Sequence, residues 1–273
     1  MELDIFVVDA FTDKQFSGNS AAVVPVVDWL SVDLMQSIAT ENNLSETAFI
    51  KPINANHYAI RWFSPITEID FCGHATLAAA YVLFNQLAYV GEIRFSTDKV
   101  GDLIVTQVET ADSHTSAKPI QMSFPNLAPE PVSSIPNALT AGLSITPNVV
   151  LKNQQAYFAV MNSAAEVVNV EYQSELLALL APLDVVVTAK ADDDSKHDFI
   201  SRYFWPANGG DEDPVTGSIH AGLAPYWSGE LHKTSLVGYQ ASIRGGALFC
   251  QLKDGRVFVS GYGKLYLKGV IYV

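Results

Sequence analysis

The chain has 273 residues, 49% of them hydrophobic, enough for one large core or two ordinary ones, which excludes an intrinsically disordered protein. Its 29 acids against 16 bases give a formal charge of −13 with no Lys/Arg cluster, so nucleic acid and anionic membrane are poor partners, and an anionic substrate has to be held by local donors. The opening MELDIFVVDA carries acids and no base, unlike a secretory leader, no apolar stretch reaches the roughly 18–20 residues of a spanning helix, and Cys72 and Cys250 lie far apart; these features predict a reduced, cytoplasmic protein without a CxxC zinc site.

In chain order, residues 3–10, 21–27, 47–50, 57–64, 92–97 and 103–109 are rich in β-branched and aromatic residues and read as strands. Among them, Ser31 precedes apolar Val32, Leu34, Met35 and Ile38 at helical spacing, which predicts a capped amphipathic helix. Prolines between Lys118 and Pro136 interrupt both periodicities, so the domain boundary is placed there: residues 1–118 and 119–273, with the terminal strand free to cross back to the first domain. The second half repeats the style, with strands near 156–161, 183–188, 197–205, 246–252 and 256–260, a helix in SELLALLAPL, and terminal strands in GYGKLYLKGVIYV.

Two segments align by eye. FSPITEIDFCGHAT (63–76) and FWPANGGDEDPVTGSIH (204–220) each run from an aromatic through a proline and carboxylates to a glycine, Gly73 or Gly217, that opens an apolar run. The glycines are 217 − 73 = 144 positions apart, about half the chain, as expected of an ancient duplication. A helix apolar on all sides must be buried, so the expectation is an α+β protein of two similar domains, each a curved, mostly antiparallel sheet around its own central helix.

Both helices are expected to start at these glycines. Unpaired N–H groups and partial positive charge at two such starts would hold a small carboxylate without an arginine, although a lone glycine also serves simply to permit tight helix entry. Beside them sit His74 and Asp213 as proton carriers, with Cys72, Thr216 and Ser218. Asp213 precedes Pro214 and reads either as a helix cap or as an acid pressed into a cleft. Glu46 opens an apolar strand, which suits a partly desolvated general base; a solvated strand-end glutamate is the bland alternative. There is no GxGxxG, phosphate loop, HExxH or GxSxG motif. A Cys72–His74 thiol nucleophile is disfavoured because residues two apart at a helix start are not expected to face one another and a third orienting residue is not evident, and a metal held by His74, Asp213 and His220 because no fixed ligand spacing exists.

Taken in order, DAFTDKQFSGNSAAVV, NLSETAFI, RWFSPITEIDFCGHATLAAA, EDPVTGSIH and YQASIRGG resemble the phenazine-biosynthesis PhzF-like isomerase and epimerase family over nearly the whole chain. The resemblance implies a diaminopimelate-epimerase-like fold with the active site in the cleft between its two domains. It assigns the catalytic glutamate to Glu46, the site histidine to His74 and the aspartate to Asp213, with Asn19, Gly73, Gly217 and Ser218 around the substrate. It also implies no metal or organic cofactor, and a homodimer. Two departures stand out: Ser20 replaces the proline often found after Asn19, leaving the turn less rigid, and Thr216 stands where opposed-cysteine epimerases carry the second thiol, which disfavours a two-thiol mechanism.

The leading expectation is an isomerase of a small carboxylate. Glu46 takes a proton from an activated carbon and returns it to another, shifting a double bond, while His74 and Asp213 relay protons and Ser218 donates a hydrogen bond. Epimerisation with Asp213 or Cys72 as the opposite-face acid, and a non-catalytic carboxylate-binding protein, are the alternatives.

Overall fold

The computed structural model describes residues 1–109 and 117–273. These divide into two compact units, Met1–Ser123 with Ser260–Val273, and Phe124–Val259.

The first unit contains β1 (Glu2–Ala10), β2 (Asn19–Pro25), α1 (Val32–Asn42), β3 (Glu46–Asn54), β4 (His57–Phe63), β5 (Glu68–Ile69), α2 (Gly73–Asn85), β6 (Ile93–Ser96) and β7 (Asp102–Gln107). It also takes most of β8 (Ile120–Pro125) and the final strand, β18 (Gly263–Tyr272). β1 pairs antiparallel with β18 and β2, β2 runs parallel to β3, and β3 pairs antiparallel with β4. β4 takes β5 antiparallel and β6 parallel, and β6, β7 and β8 continue antiparallel.

Hydrophobic runs such as AAVV in β2 follow from a sheet covered on both faces. Ala22 and Val24 join Met35, Ile38 and Ala39 of α1 in one core, and α2 packs against β1, β2, β3 and β18. α1 starts where Ser31 Oγ accepts a 3.3 Å bond from the Leu34 N–H and ends at Asn43 in the left-handed region (φ 48°), as the sequence predicts for its start. Eleven of the thirteen residues of α2 are buried, so it is the central helix, and truncating Leu77 or Leu83 to alanine is expected to cost about 2–5 kcal/mol.

The second unit contains β9 (Glu130–Pro131), α3 (Asn137–Gly142), β10 (Val149–Lys152), β11 (Ala156–Val160), α4 (Ala164–Asn169), α5 (Ser174–Leu177), β12 (Asp184–Lys190), β13 (Phe199–Phe204) and β14 (Glu212–Asp213). It ends with α6 (His220–Leu231), β15 (Ser235–Gln240), β16 (Gly246–Lys253) and most of β17 (Arg256–Gly261). β10 and β11 are antiparallel, β11 and β12 parallel, β12 and β13 antiparallel. β13 then takes β14 antiparallel and β15 parallel, and β15 pairs antiparallel with β16.

Strand for strand, β10 to β16 repeat the pairing of β1 to β7. The register repeats as well: Phe63 faces Glu68 as Phe204 faces Glu212, and 212 − 68 is again 144. Each pair carries a two-bonded Arg–Glu clamp, Arg61 to Glu68 at 2.6 and 2.7 Å and Arg202 to Glu212 at 2.8 and 2.9 Å, with the guanidinium over Phe63 or Phe204. α6 packs against β15 and β16, and its Gly222 lets it pass close to β11, since a Cβ there would stand 2.5 Å from the Phe158 ring.

Several expectations need correction. α6 starts at His220, not at Gly217: residues 217–219 form a tighter turn in which the N–H groups of His220 and Ala221 reach back to the carbonyls of Gly217 and Ser218 at 3.2 and 3.0 Å. The C-terminal half of α6 is also partly exposed and contains Pro225, so it is less enclosed than α2. SELLALLAPL gives only the one-turn α5 and a 3₁₀ turn at Ala178–Leu180, because the chain must end its helix before Pro182. The proline-rich stretch holds β8, whose prolines fall outside or at its end, and β15 was not foreseen. Among the described residues no helix is long and apolar enough to cross a membrane.

Candidate active site

In the first unit three local features bring four of the expected site residues together. Gly18 turns in the left-handed region (φ +67°), where a Cβ would lie 2.1 Å from the Ala10 carbonyl oxygen, so only glycine delivers Asn19 to the start of β2. Glu46 opens β3, in parallel register with Ala21. Gly73 and His74 form the first turn of α2, with Cys72 as its N-cap residue.

Glu46 Oε2 stands 2.7 Å from His74 Nε2, with side-chain exposures of only 12% and 7% that leave little water between them. The carboxylate oxygen lies out of line with the ring N–H, so charge and proximity hold the pair more than a well-aligned hydrogen bond does. On the ring's other side, the Ser45 hydroxyl donates to Asn19 Oδ1 at 3.0 Å and Asn19 Nδ2 donates to His74 Nδ1 at 3.1 Å. A donor facing Nδ1 leaves that nitrogen bare in the neutral ring and places the ring proton on Nε2, towards Glu46. Sequence reading put Asn19 beside the substrate; the structure puts it on His74 and adds Ser45 behind it, a residue missed because its role depends on pairing across 26 positions.

Burial works against a charged imidazole at His74, the Cys72 sulfur and the Glu46 carboxylate work for it, and the balance holds His74 well above the ordinary histidine range. Against the expectation for residues two apart, Cys72 Sγ does face the ring, 3.4 Å from His74 Nδ1, with Glu46 on its far nitrogen; what argues against a thiol nucleophile is instead that burial first, then Glu46, pushes the thiol up to about 11. Cys72 is therefore a thiol at neutral pH, and the neighbouring charge left to favour protonated His74 is that of Glu46. The charged ring needs an acceptor at Nδ1, which turning the Asn19 amide over supplies, with Ser45 Oγ accepting from Nδ2 in exchange.

One donor atom each from Glu46, Cys72 and His74 lie within 4.8 Å of one another, the spacing of a three-ligand metal site. A cation there would have to displace the proton of a thiol held up at about 11. Both ring nitrogens of His74 are already engaged, Nδ1 by Asn19 and Nε2 beside Glu46, as in an acid–base cluster.

Asp213, Gly217 and Ser218 belong to the second unit. Asp213 ends β14, and since α6 begins seven residues later with Ile219 as its N-cap residue, Asp213 does not cap that helix. Instead the Thr216 hydroxyl donates to Asp213 Oδ2. Gln240, fully buried, clamps this loop: its Nε2 donates to the Asp213 carbonyl at 2.8 Å, and its Oε1 accepts from the Thr216 N–H at 2.9 Å. Ser242 donates to the Pro214 carbonyl at 2.6 Å, so YQASIRGG is the brace of DPVTGS, a role its separation in sequence concealed. Ser218 Oγ accepts from Gln155 Nε2 at 2.9 Å. His220 is tied through Nδ1 to the Thr216 carbonyl at 2.9 Å, and burial pushes it down to about 4. Ser20 donates to buried Asp9, a tie that a proline ring lacks.

A family model described as phenazine biosynthesis-like protein, PhzC-PhzF, matches residues 8–269. An uncharacterized isomerase of Pseudomonas aeruginosa is 42% identical over 274 residues, covering 100% of both chains. The crystal structure of a phenazine biosynthesis protein of the PhzF family from Enterococcus faecalis is 39% identical and covers 100% of both chains with a TM-score of 0.91. A probable proline racemase from Agrobacterium radiobacter, 12% identical, covers 99% of this chain and 92% of its own with a TM-score of 0.60, a likeness of fold alone. The chain therefore has the α+β fold of these isomerases and racemases and belongs to the phenazine biosynthesis-like PhzC-PhzF family.

Proposed function

We propose that this isomerase moves a proton between two carbons of a small carboxylate and so shifts a double bond, with Glu46 as the base. The observation that supports this best is the contact of Glu46 with His74 in a pocket of side chains nearly closed to water, where a carboxylate is poised by a neighbouring N–H. Glu46 takes the proton from a carbon next to an activating group. The electron pair left behind spreads into that group and its double bond, and the protonated Glu46, whose acid proton trades with solvent during the cycle, then delivers a proton to the far carbon. No charge or hydrogen is gained or lost overall.

His74 serves this cycle by holding its Nε2 side 2.7 Å from Glu46, where proximity and charge steady the carboxylate before it takes the proton. The first-turn N–H groups of α2 at Gly73 favour oxygens on which negative charge grows, without a metal ion being required. To Asp213 the reading assigns polarisation of the activating group and to Ser218 a hydrogen bond to the substrate, supported by residue type and by the braced loop that carries Asp213. Gly217 and Asn19 act on backbone approach and on His74 respectively.

Incubating amino-substituted cyclic and linear carboxylic acids with the protein in D₂O tests this. Deuterium at a new carbon supports the double-bond shift, whereas inversion with label at the original carbon replaces it with epimerisation. Binding of these acids with neither exchange nor a shifted double bond would leave only a carboxylate-binding protein.

A further inference from the structure

Gln155 Nε2 stands 3.1 Å from Tyr203 Oη and 2.9 Å from Ser218 Oγ. Tyr203 Oη lies 2.6 Å from Asp184 Oδ2, and Asp184 Oδ1 accepts from Asn208 Nδ2 at 2.7 Å. Tyr203 and Asp184 are buried, and Gln155 is fixed at the entry to β11 by Asn153 Oδ1, which accepts from the N–H groups of Gln155 and Ala156 at 2.8 and 3.0 Å.

The direction of each bond follows from counting protons. Burial pushes the Asp184 carboxyl up, while the hydrogen bonds from Tyr203 and Asn208, one to each oxygen, oppose that; with both oxygens accepting, the single phenol proton of Tyr203 is committed to Asp184. Burial, with Asp184 beside it, holds Tyr203 well above the ordinary tyrosine range, so the phenol keeps that proton. Tyr203 Oη can then only accept from Gln155, which fixes the amide with its NH₂ group inward. The second amide proton falls on Ser218 Oγ. Ser218 therefore accepts from Gln155, and its own hydroxyl proton must point elsewhere.

The repeat supplies an independent observation. Asp184 opens β12 in register with Ala156 as Glu46 opens β3 in register with Ala21, and Ser218 follows His74 by 218 − 74 = 144 positions. The second unit thus links the same two places through Tyr203 and Gln155.

We infer that Asp184, Tyr203 and Gln155 are positioning residues that keep the Ser218 hydroxyl a hydrogen-bond donor, directed at an anionic oxygen of the bound carboxylate. This rests on the reading that Ser218 meets the substrate. Ser218 is half-exposed, directly after Gly217, so its free proton has somewhere to go.

Neutron diffraction from a D₂O-exchanged crystal of the full chain tests the polarity without any ligand. The expected result is two deuterons on Gln155 Nε2, one aimed at Tyr203 Oη and one at Ser218 Oγ, with the Ser218 deuteron turned away. In Gln155→Glu, which removes both amide donors, the Ser218 deuteron swings onto the new carboxylate. In solution, Ser218→Ala should shift one of the two Gln155 side-chain amide proton resonances and Tyr203→Phe the other. A wild-type Ser218 deuteron pointing at Gln155, or amide resonances that neither variant moves, overturns the inference. Neither measurement involves Glu46 or turnover, so such a failure leaves the proposed reaction standing, and its success does not establish that reaction.

Discussion

In the first unit the acid that opens β3 touches the side chain that starts the central helix; in the second the acid that opens β12 reaches its counterpart only through a tyrosine and a glutamine. Around this difference the scaffold is held constant, down to the Arg–Glu clamps beneath Phe63 and Phe204 and the bond from residue 76 or 220 back to the carbonyl four positions earlier. Pairing and packing tolerate little change because each strand answers to two neighbours. A polar pair at the open end of a helix answers to fewer, so the two copies diverge there, one into a direct Glu46–His74 contact and one into a chain through Tyr203 and Gln155.

The sharpest way to break this comparison is to neutralise the two acids in turn. Glu46→Gln should lower solvent-hydrogen exchange into the substrate by about 10²–10⁴-fold, whereas Asp184→Asn should cost far less activity and about 1–3 kcal/mol of stability through its broken buried bonds. Equal losses of activity would show that the units share the chemistry evenly.

The clamps should differ in strength although they match in geometry. Arg202 also donates to the carbonyls of Val168 and Val170 at 3.2 and 2.8 Å, closing the end of α4, and its pair is the less exposed. Arg202→Ala is expected to cost about 3 kcal/mol and Arg61→Ala about 1 kcal/mol in urea unfolding.

Acid should find the second unit first. Histidine ordinarily titrates near about 6.5, and folded His220 only near about 4, so between these values the unfolded chain takes up a proton that the folded chain refuses. Stability therefore falls as pH drops through that window, by up to about 3 kcal/mol, and His220→Gln should flatten the slope. Thr76, its counterpart, does not titrate.

The smallest effect belongs to the cysteines. With Cys72 pushed up to about 11 and Cys250 to about 12, both buried, alkylation at pH 8 should run about a hundredfold slower than in the unfolded chain. Cys72→Thr, which copies Thr216, should leave exchange activity within about threefold of wild type if the thiol only lines the pocket.

Much of the scaffold was legible. The Ser31 cap, the β-branched runs and the duplicated glycine segments each carry local signals, and so they located α1, most strands and the entry to α2. The start of α6 escaped because the choice between a helical turn and a 3₁₀ turn at TGSI is made by a few bonds that composition does not encode. At the site, Glu46 and His74 could be picked out as residues of the right chemistry, but their contact could not. Ser45, Gln155, Tyr203 and Gln240 are ordinary polar residues in sequence, and they acquire roles only once β-pairing brings distant stretches together. Asp184 carried no such signal either, since an offset of 144 places Lys190 opposite Glu46, and only the strand register relates the two acids.

β1 finds its partner β18 across almost the entire length of the chain, Leu3 beside Ile271 and Ala10 beside Gly263. During synthesis the stretch from Phe124 to Val259 has therefore emerged in full while the unit begun earlier still lacks an edge. Order of birth and order of completion are reversed: the first-made half waits with an open strand, the slow and aggregation-exposed step, until the ten residues of β18 leave the ribosome.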